Sequence, residues 1–513
     1  MRHVTRRRLL AYGILALWAG VVAVHIRREY FKPLAARLEL GAQSLAPGSE
    51  FYQVRMGGQA IGMATSRLDT VPEGFVFDDL LILDVPAMDT LHRAVVHTRV
   101  DLSRSLGLRR FAFDLASEVG RFEVRGEAVG DTLLELEVGA GGERQRSAVR
   151  LEEGTLLATA LPLRLAAGGE LEVGRTHRFR IFDPSTLSGR EVEVRIAGHD
   201  TLIVPDTASF DSIRGEWVVA KYDTLPAWKV EEIFGGVRVS SWVDDDGRLI
   251  RAESPLGLTL ERTPYEIARV EWDRSRGDLR LASGYGAVIE STAIAADAAL
   301  DGLDAVDSVA VRLAGVELEG FDLEGGRQTL RGDTLVVVRE APARLAAGYR
   351  LPYAGGGEAA RELGSTPLVQ AEDPEIVRVA REIAGAETDP AVVARRLNEW
   401  VYRALRKEIT LSIPSARQVL DARAGDCNEH TVLYLALARA LGLPARTAVG
   451  LVRVNDRFYY HAWPEVWLDG WVAVDPTLGQ YPADASHLRF LVGGLARQVE
   501  LIRLIGRLRL ERV

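Results

Sequence analysis

The sequence contains one cysteine, Cys427, in 513 residues. A single thiol cannot form a disulfide within the chain, and a cysteine-rich zinc site would need further cysteines. Cys427 and His430 are spaced like two ligands on one helical turn, but no second cysteine pair completes a tetrahedral set. We therefore expect no resident metal and no cofactor. An unpaired thiol is instead a candidate reactive group.

An excess of positive charge is also missing. The 63 lysines and arginines are outnumbered by 72 aspartates and glutamates, which gives a formal net charge of -9. Binding to nucleic acid phosphates favours the opposite balance, so nucleic acid is not an expected partner. The acidic turns at 231–236 and 242–247 lack the ligand spacing of a calcium loop, and we interpret them as solvated turns.

Only the N-terminus carries an apolar run long enough for a membrane. Residues 9–26 follow Arg6, Arg7 and Arg8 and continue into "HIRREY" without a small-x-small cleavage pattern. A transmembrane helix needs about 20 apolar residues, so this run predicts an uncleaved anchor. A cleaved signal peptide and a buried helix are the alternatives. Residues 1–45 are then a cytoplasmic tip, a single-pass helix in the inner membrane and a linker, with the main body periplasmic.

Residues 46–275 are a succession of short alternating runs separated by Gly, Asp and Pro. Period-two alternation with such turns predicts a long antiparallel β-rich region, and "WVDDDGRLI" is typical of a hairpin turning at Asp246 and Gly247. Residues 276–360 alternate again and predict a small β-rich unit with a linker. No residue of the β-rich region carries a chemical signature, so it could recruit substrate, contact the envelope or bind a partner protein.

The pattern becomes helical near Leu368. Asp373–Pro374 and Asp389–Pro390 each open an amphipathic stretch, "DPEIVRVAREIA" and "DPAVVARRLNEWVYRALRK". Aspartate followed by proline is a strong helix start. The change of period predicts a separate α+β domain over residues 361–513.

Cys427 opens the apolar stretch "CNEHTVLYLALARALG", which Gly442 and Pro444 end. The sequence predicts a buried central helix with Cys427 in its first turn. The positive end of a helix dipole stabilises a thiolate, so we expect the pKa of this thiol to lie below its ordinary value of about 8.5. The alternative is a small core residue, which is what most free cysteines are.

His461 and Asp475 lie in "RFYYHAWPEVWLDGWVAVDPTLGQ", which alternates like two strands joined at Asp469 and Gly470. On neighbouring strands a carboxylate can hold an imidazole. A nucleophilic cysteine needs a base to take its proton, and the base needs an acceptor that fixes its tautomer. Cys427, His461 and Asp475 supply these three residue types.

These stretches resemble the transglutaminase-like superfamily over about residues 368–513. Its motifs match Gly425-Asp426-Cys427, His461 to Glu465, and Gly470-Trp471 through Asp475-Pro476-Thr477. The resemblance implies a papain-like α+β core, with Cys427 as nucleophile, His461 as general base and acid, and Asp475 as orienting carboxylate. It also makes Gln418 a candidate side-chain donor to the oxyanion, with an exposed amide at a helix end as the alternative, and Trp463 a candidate cleft residue. The neighbouring Glu429 and Glu465 could assist proton transfer, but charged residues beside a cleft are usually solvated, and we expect the same of these two.

The resemblance predicts a membrane-anchored thiol enzyme that acts on amide bonds of protein or peptide substrates through a thioester. Hydrolysis is the first choice, because anchored bacterial members look more like peptidases or amidases than cross-linkers. Amine transfer by a protein-glutamine transglutaminase is the second. A non-catalytic scaffold or binding protein of the envelope is an alternative of a different class.

Overall fold

The structure is a computed structural model of the chain. It describes residues 34–281, 294–295 and 307–513, apart from gaps at 44, 88–89, 119, 131, 141–142, 235–236, 256, 342–344, 411 and 456. The predicted anchor at residues 9–26 lies outside the described residues. Among the helices within them, none is long and apolar enough to cross a membrane.

The N-terminal part is one sheet of fifteen strands. The strands are β1 Gly48–Met56, β2 Gln59–Val71, β3 Gly74–Ala87, β4 Thr90–Ser103, β5 Leu108–Ser117, β6 Arg121–Val129, β7 Leu133–Ala140, β8 Glu143–Arg150, β9 Leu156–Leu157, β10 Thr176–Asp183, β11 Ser188–Asp211, β12 Glu216–Phe234, β13 Val237–Val243, β14 Leu249–Glu253 and β15 Leu258–Arg262. The helices of this part are α1 Leu34–Ala42, α2 Leu161–Ala167 and α3 Tyr265–Leu281, with a 3₁₀ turn at Ala158–Ala160.

Chain neighbours pair as antiparallel hairpins through most of this sheet, and β1 joins β15 in its middle. The predicted turn is present: Asp244 donates its backbone N–H to the Arg248 carbonyl at 3.0 Å, and Gly247 has a φ of 80°. The sheet curls, since Phe111 on β5 contacts Phe182 on β10 with ring centroids 5.8 Å apart. The large β-rich region predicted from the alternating sequence is thus confirmed.

Two helices interrupt the strands predicted for residues 46–275. They are the short α2 and the longer α3, which begins at Tyr265, just after Pro264. Its buried residues Ile267, Ala268 and Trp272 recur at helical spacing and pack beside Met63 of β2. Many charged residues on the outer face dilute this apolar pattern, which is why alternation seemed to continue.

The C-terminal part combines helices with three smaller sheets. The helices are α4 Gly357–Arg361, α5 Pro374–Ala384, α6 Pro390–Ala404, α7 Ala416–Ala422, α8 Cys427–Ala440 and α9 Leu495–Gln498, with a 3₁₀ helix at Val499–Leu504. The strands are β16 Ile294–Ala295, β17 Ser308–Ala314, β18 Gln328–Arg331, β19 Thr334–Val338, β20 Arg406–Lys407, β21 Ala424–Gly425, β22 Ala445–Val454, β23 Arg457–Trp467, β24 Trp471–Ala473, β25 Leu488–Val492 and β26 Arg509–Arg512.

Helix α8 is the centre of this part. Its residues from Val432 to Ala438 are buried, and α5, α6, α7 and strand β22 share one apolar core with it. Asp373 and Asp389 cap α5 and α6 through their side chains, as Asp-Pro predicts. The central sheet, in the order β16-β23-β22-β25 with β24 beside β23, packs against α8.

The small sheet has the order β18-β19-β17-β26. Its strand β26 comes from residues 509–512, and its buried residues Val311 and Leu335 share a core with Leu451 and Phe490 of the central sheet. Within the stretch predicted as a small β unit at 276–360, the described strands β17 and β19 therefore pack against the central sheet of the C-terminal part.

Candidate active site

Cys427 is the first residue of α8, and the sequence around it caps the helix. The Asp426 side chain accepts the Asn428 N–H at 2.8 Å, and Glu429 accepts the Asp426 N–H at 2.9 Å. This reciprocal capping box satisfies backbone donors of the first turn. The Cys427 N–H itself has no carbonyl within the helix to bond, as at every helix start.

Gly425 explains why a glycine stands two residues before the cysteine. Its φ of +155° is unfavourable for other residues, and an added Cβ would lie 2.2 Å from the Cβ of Glu429. Only glycine lets the chain turn into α8 while Glu429 folds back over the helix start.

His461 and Asp475 are brought together by the β23–β24 hairpin. The distance from His461 Nε2 to Asp475 Oδ2 is 2.8 Å, which is a hydrogen bond between two buried side chains. The other carboxylate oxygen accepts the backbone N–H groups of Thr477 and Leu478 at 2.7 and 2.9 Å. These bonds fix the carboxylate, so the imidazole has one orientation available.

A second histidine shares the same carboxylate oxygen. His487 Nε2 lies 2.9 Å from Asp475 Oδ2, and its Nδ1 lies 3.1 Å from Oδ1 of Asp484. Burial alone would raise the pKa of Asp475, but the charges and hydrogen bonds of His461 and His487 outweigh it and hold this pKa well below the ordinary range. The sequence analysis missed His487 and Asp484. The spacing D-x-x-H is the only local signal for them.

Cys427 contacts the strand that carries His461. A backbone hydrogen bond joins its sulfur to Ala462, the residue after His461, and the half-buried side chain packs against the apolar core that the central and small sheets share. Burial raises the pKa of the Cys427 thiol, the carboxyl groups of Asp426 and Glu429 raise it further, and the Ala462 bond only partly opposes them. The prediction of a lowered pKa is therefore wrong, because the helix dipole competes with two carboxyl groups at the same helix end.

The geometry so far is a helix-start cysteine, a strand histidine beside it and a fixed aspartate. Residues 377–476, which contain all three, match the family model of the transglutaminase-like superfamily. The C-terminal part of the chain contains a transglutaminase-like domain. The match ends at Pro476, so it does not extend to His487.

Three solved structures are distantly similar to parts of this chain. A candidate cysteine protease from Cytophaga hutchinsonii is 16% identical with a TM-score of 0.27 and covers 36% of this chain and 79% of its own. The periplasmic domain of TgpA from Pseudomonas aeruginosa, solved with ethylmercury, is 17% identical with a TM-score of 0.23 and covers 34% of this chain and 76% of its own.

A β-barrel-like protein of unknown function from Brucella abortus covers 43% of this chain and 95% of its own, at 12% identity and a TM-score of 0.29. All three likenesses are too remote to assign an activity. A comparison with curated proteins found no match.

Gln418 of the transglutaminase-like domain does not face the thiol as an oxyanion donor would. Its Oε1 accepts the Ser415 N–H at 3.2 Å in a capping box of α7, and its Nε2 donates to the Arg121 carbonyl of β6 at 2.6 Å. The predicted oxyanion role of Gln418 is therefore contradicted. Its side chain instead links the domain to the N-terminal sheet.

Trp463 does not line a cleft either. It is 1% exposed and stacks on the His461 ring at 6.0 Å, with the His487 ring edge-on at 5.1 Å. The indole thus packs against both imidazole rings. It lies in the core because β23 is covered on this face by the loop that carries His487.

The two glutamates of the motifs are buried, which corrects the expectation that they are solvated. Glu429 accepts the hydroxyl groups of Thr410 and Ser412. Glu465 accepts bonds from Arg446 at 2.8 Å and from Arg489 at 2.9 Å. Each carboxylate is thus a structural link and not a free proton carrier.

His461, Asp475 and His487 offer donor atoms within 4.8 Å of one another, close enough to consider a metal. Their separations of 2.8 and 2.9 Å are those of hydrogen bonds to a shared oxygen. The arrangement fits proton-bearing imidazoles better than metal ligands, which need their lone pairs directed at one central point.

A cavity of about 240 Å³ runs along α8 in the transglutaminase-like domain. Asn428, Thr431 and Leu435 line one side, and the turn at 185–187 of the N-terminal sheet lines another. The described residues that line it are uncharged, so it suits an uncharged chain. A larger cavity of about 700 Å³ lies elsewhere, on the N-terminal sheet among Arg99, Glu127 and other charged side chains.

Proposed function

We propose that this protein is a thiol hydrolase that cleaves amide bonds of protein or peptide substrates through a covalent thioester. The observation that carries the proposal is the contact between Cys427 and Ala462, because it sets the thiol beside the residue whose neighbour, His461, is held by Asp475. A thiol, an imidazole and a fixed carboxylate are the three groups that nucleophilic acyl transfer requires.

The raised pKa of Cys427 determines how the thiolate forms. A thiol that is buried beside carboxyl groups keeps its proton until His461 accepts it, so charge separation creates a thiolate and an imidazolium together. The Asp475 carboxylate stabilises that imidazolium.

In the first step the Cys427 sulfur bonds to the carbonyl carbon of the amide, and the carbonyl electron pair moves onto oxygen. The Cys427 backbone N–H, which has no acceptor within its own helix, is the candidate donor to that oxyanion. The intermediate collapses as the C–N bond breaks, and His461 gives its proton to the departing amine.

In the second step water attacks the thioester carbonyl carbon, and His461 accepts a proton from that water. The C–S bond breaks, the carboxylic acid leaves, and the proton returns to the thiolate. If an amine reached the thioester before water, the same steps would give transfer. The preference for water rests on the resemblance to anchored bacterial members.

The experiment uses the full chain in detergent, with fluorescein-labelled casein as the hydrolysis probe and biotinylated pentylamine as the amine probe in the same tube. We expect casein cleavage that Cys427→Ala and His461→Ala both abolish. Biotin incorporation without cleavage would replace hydrolysis by transfer. Iodoacetamide labelling of the single thiol that is slow and unaffected by His461→Ala would contradict any thiol enzyme and favour the scaffold.

We also infer that residues 9–26 anchor the protein in the inner membrane, with the enzyme outside the cytoplasm. The basic residues before an apolar run of this length support the inference. Alkaline carbonate should leave the protein with the membranes, and protease added to spheroplasts should digest its main body. Protection from that protease would reverse the orientation.

A further inference from the structure

His487 is held between two carboxylates, and the hydrolase described above has no step that uses it. Its side chain is 0% exposed, its Nε2 lies 2.9 Å from Asp475, and its Nδ1 lies 3.1 Å from Asp484. A carboxylate can only accept hydrogen bonds. Both ring nitrogens must therefore carry protons, and the ring is an imidazolium.

Asp484 is as firmly placed as Asp475. Its Oδ1 accepts the backbone N–H of Ser486 at 2.9 Å and the hydroxyl of the same residue, and its Oδ2 accepts the Gln480 amide at 2.6 Å. Burial would raise the pKa of Asp484, but the hydrogen bond and charge of His487 outweigh it and lower this pKa. Both partners of His487 are thus ionised acceptors.

The opposite balance applies to His487 itself. Burial alone would lower its pKa, but the hydrogen bonds and charges of Asp475 and Asp484 overcome burial and raise it. Other titratable or charged groups lie around this cluster. The central sheet supplies His461 and the Glu465–Arg489 pair, and the ends of the small sheet supply Arg327 and Glu340. The start of α8 supplies Asp426, Cys427, Glu429 and His430.

None of these groups takes the place of Asp475 and Asp484 as a hydrogen-bond acceptor for His487. Arg327 donates to the carbonyl oxygens of Ala483 and Asp484 at 2.8 and 2.7 Å, so it fixes the loop backbone. Arg489 is bonded to Glu465. His430 donates from Nδ1 to the Asp426 carbonyl at 2.7 Å, and burial lowers its pKa, which favours the neutral ring.

We propose that His487 is a positively charged positioning residue that locks the Asp475 carboxylate against His461 and sets the alkaline limit of the Cys427–His461 pair. This inference rests on the proposed function, since it concerns the pH range of that pair. The rings of His461 and His487 are 5.9 Å apart and share one carboxylate oxygen. Two positive charges that share one carboxylate oxygen repel each other, so a charged His487 disfavours a second imidazolium.

Loss of the His487 charge should therefore shift the pH dependence of Cys427 reactivity in one direction, toward higher pH. Asp475 would then stabilise the His461 imidazolium without competition, and the thiolate–imidazolium pair would persist to higher pH. Loss of the hydrogen bond would at the same time let the carboxylate move, so reactivity at the optimum would fall.

The experiment measures alkylation of the full chain by iodoacetate against pH, with the single thiol read by mass spectrometry. Iodoacetate is an anion, so its rate falls when the imidazolium beside the thiolate loses its proton. In His487→Gln we expect the alkaline limb to move up by about one pH unit or more and the maximum rate to fall. His199→Gln, an exposed histidine of the N-terminal sheet, is the matched control and should leave the profile unchanged.

A second readout does not depend on reactivity. In the full chain labelled with ¹³C,¹⁵N-histidine, the His487 signal is the one missing from His487→Gln. We expect both of its nitrogens to remain protonated at pH 8, where an ordinary imidazole with a pKa of about 6.5 is neutral. In Asp484→Asn its deprotonation should move to lower pH by about one unit or more.

A neutral His487 ring at pH 8 would overturn the inference, and so would a His487→Gln alkylation profile that superimposes on the wild type. If His487→Gln does not fold, the protonation state of His487 in the wild type and in Asp484→Asn still tests the inference. If the wild-type thiol is inert while His487 remains charged at pH 8, the hydrolase proposal fails and so does the positioning role, but the charged His487 stands.

Discussion

Arg489 and Glu465 form an ion pair inside the transglutaminase-like domain, with Nη1 of the arginine 2.9 Å from Oε1 of the glutamate. Both side chains are less than 5% exposed. Arg446 occupies the second oxygen of Glu465 and also stacks on Trp471 at 4.1 Å. A glutamate that could be mistaken for a catalytic acid is thus part of a buried network.

This network predicts that Glu465→Gln is strongly destabilising. The change leaves the buried Arg489 without its carboxylate and Arg446 with Glu358 alone, and breaking a buried pair typically costs about 3–5 kcal/mol of unfolding free energy. Glu358→Gln is the control, since that carboxylate pairs with Arg446 from a side chain that is 60% exposed, and exposed pairs contribute about 0–1 kcal/mol. Urea unfolding of the two variants checks the difference. Equal losses would mean that the network contributes no more than a surface pair.

Asp475→Asn tests the orienting carboxylate. The amide keeps the shape but removes the charge that stabilises the His461 imidazolium, and its NH₂ group would face a ring N–H. We expect kcat/KM for casein cleavage to fall by about 10²–10⁴-fold. Asp421→Asn removes an exposed carboxylate of α7 that pairs with Arg417, and should leave activity within twofold. Asp475→Asn with near-normal cleavage would remove the aspartate from the mechanism.

Stability of the full chain should depend on pH in both directions. The folded pKa values of Asp475 and Asp484 are lowered, so their contribution is present above an unfolded pKa of about 3.9 and is lost as the pH falls below it. The pKa of His487 is raised, so its contribution is full below an unfolded pKa of about 6.5 and is lost as the pH rises through the folded value.

We therefore expect maximal stability from this cluster between about pH 4 and 6.5. The decline above that range should flatten in His487→Gln. Urea midpoints at pH 5, 6, 7 and 8 measure it. Parallel curves for the variant and the wild type would show that His487 binds no extra proton in the folded state.

Gly425→Ala should disturb the thiol through the capping box. The new Cβ would lie 2.2 Å from Glu429 and would require a φ that alanine disfavours. We expect a loss of about 1–3 kcal/mol of unfolding free energy and slower iodoacetamide labelling of Cys427. Gly356→Ala is the control, because an added Cβ there meets nothing within 4 Å. An unchanged labelling rate in a folded Gly425→Ala protein would show that Cys427 reactivity does not depend on this glycine.

Gln418→Ala distinguishes a structural amide from an oxyanion donor. Removal of its bonds to Ser415 and Arg121 should lower stability by about 0.5–2 kcal/mol, as loss of a capping interaction does. The kcat/KM for casein should stay within a few-fold of the wild type. A loss of 10²-fold or more would restore the oxyanion role that the sequence analysis assigned.

Local signals in the sequence were sufficient for much of the fold. Asp373 and Asp389 predict the starts of their helices because capping depends only on the next few residues. The Asp246–Gly247 pair predicts its hairpin because a tight turn is also a local feature. The family motifs identify Cys427, His461 and Asp475 as candidates, and the structure places them on the expected helix and strands.

The remaining features depend on contacts that no local pattern encodes. Gln418 bonds to Arg121, 297 residues away in the chain, so its helix alone gives no sign of where the amide points. The pKa of Cys427 rises because the thiol is buried and because Asp426 and Glu429 lie near it, and the helix dipole alone predicts neither effect. His487 joins the site only because the loop after Asp475 folds back over Trp463.

The small sheet has a consequence for biosynthesis. Strand β17 near residue 310 obtains its second neighbour only when residues 509–512 arrive as β26. A ribosome must therefore translate almost all the sequence between them before that sheet can close, and contacts of such long range form slowly. The core that supports the thiol shares residues with this sheet. A nascent chain should thus hold an unfinished, unreactive thiol, which would protect the machinery that makes it.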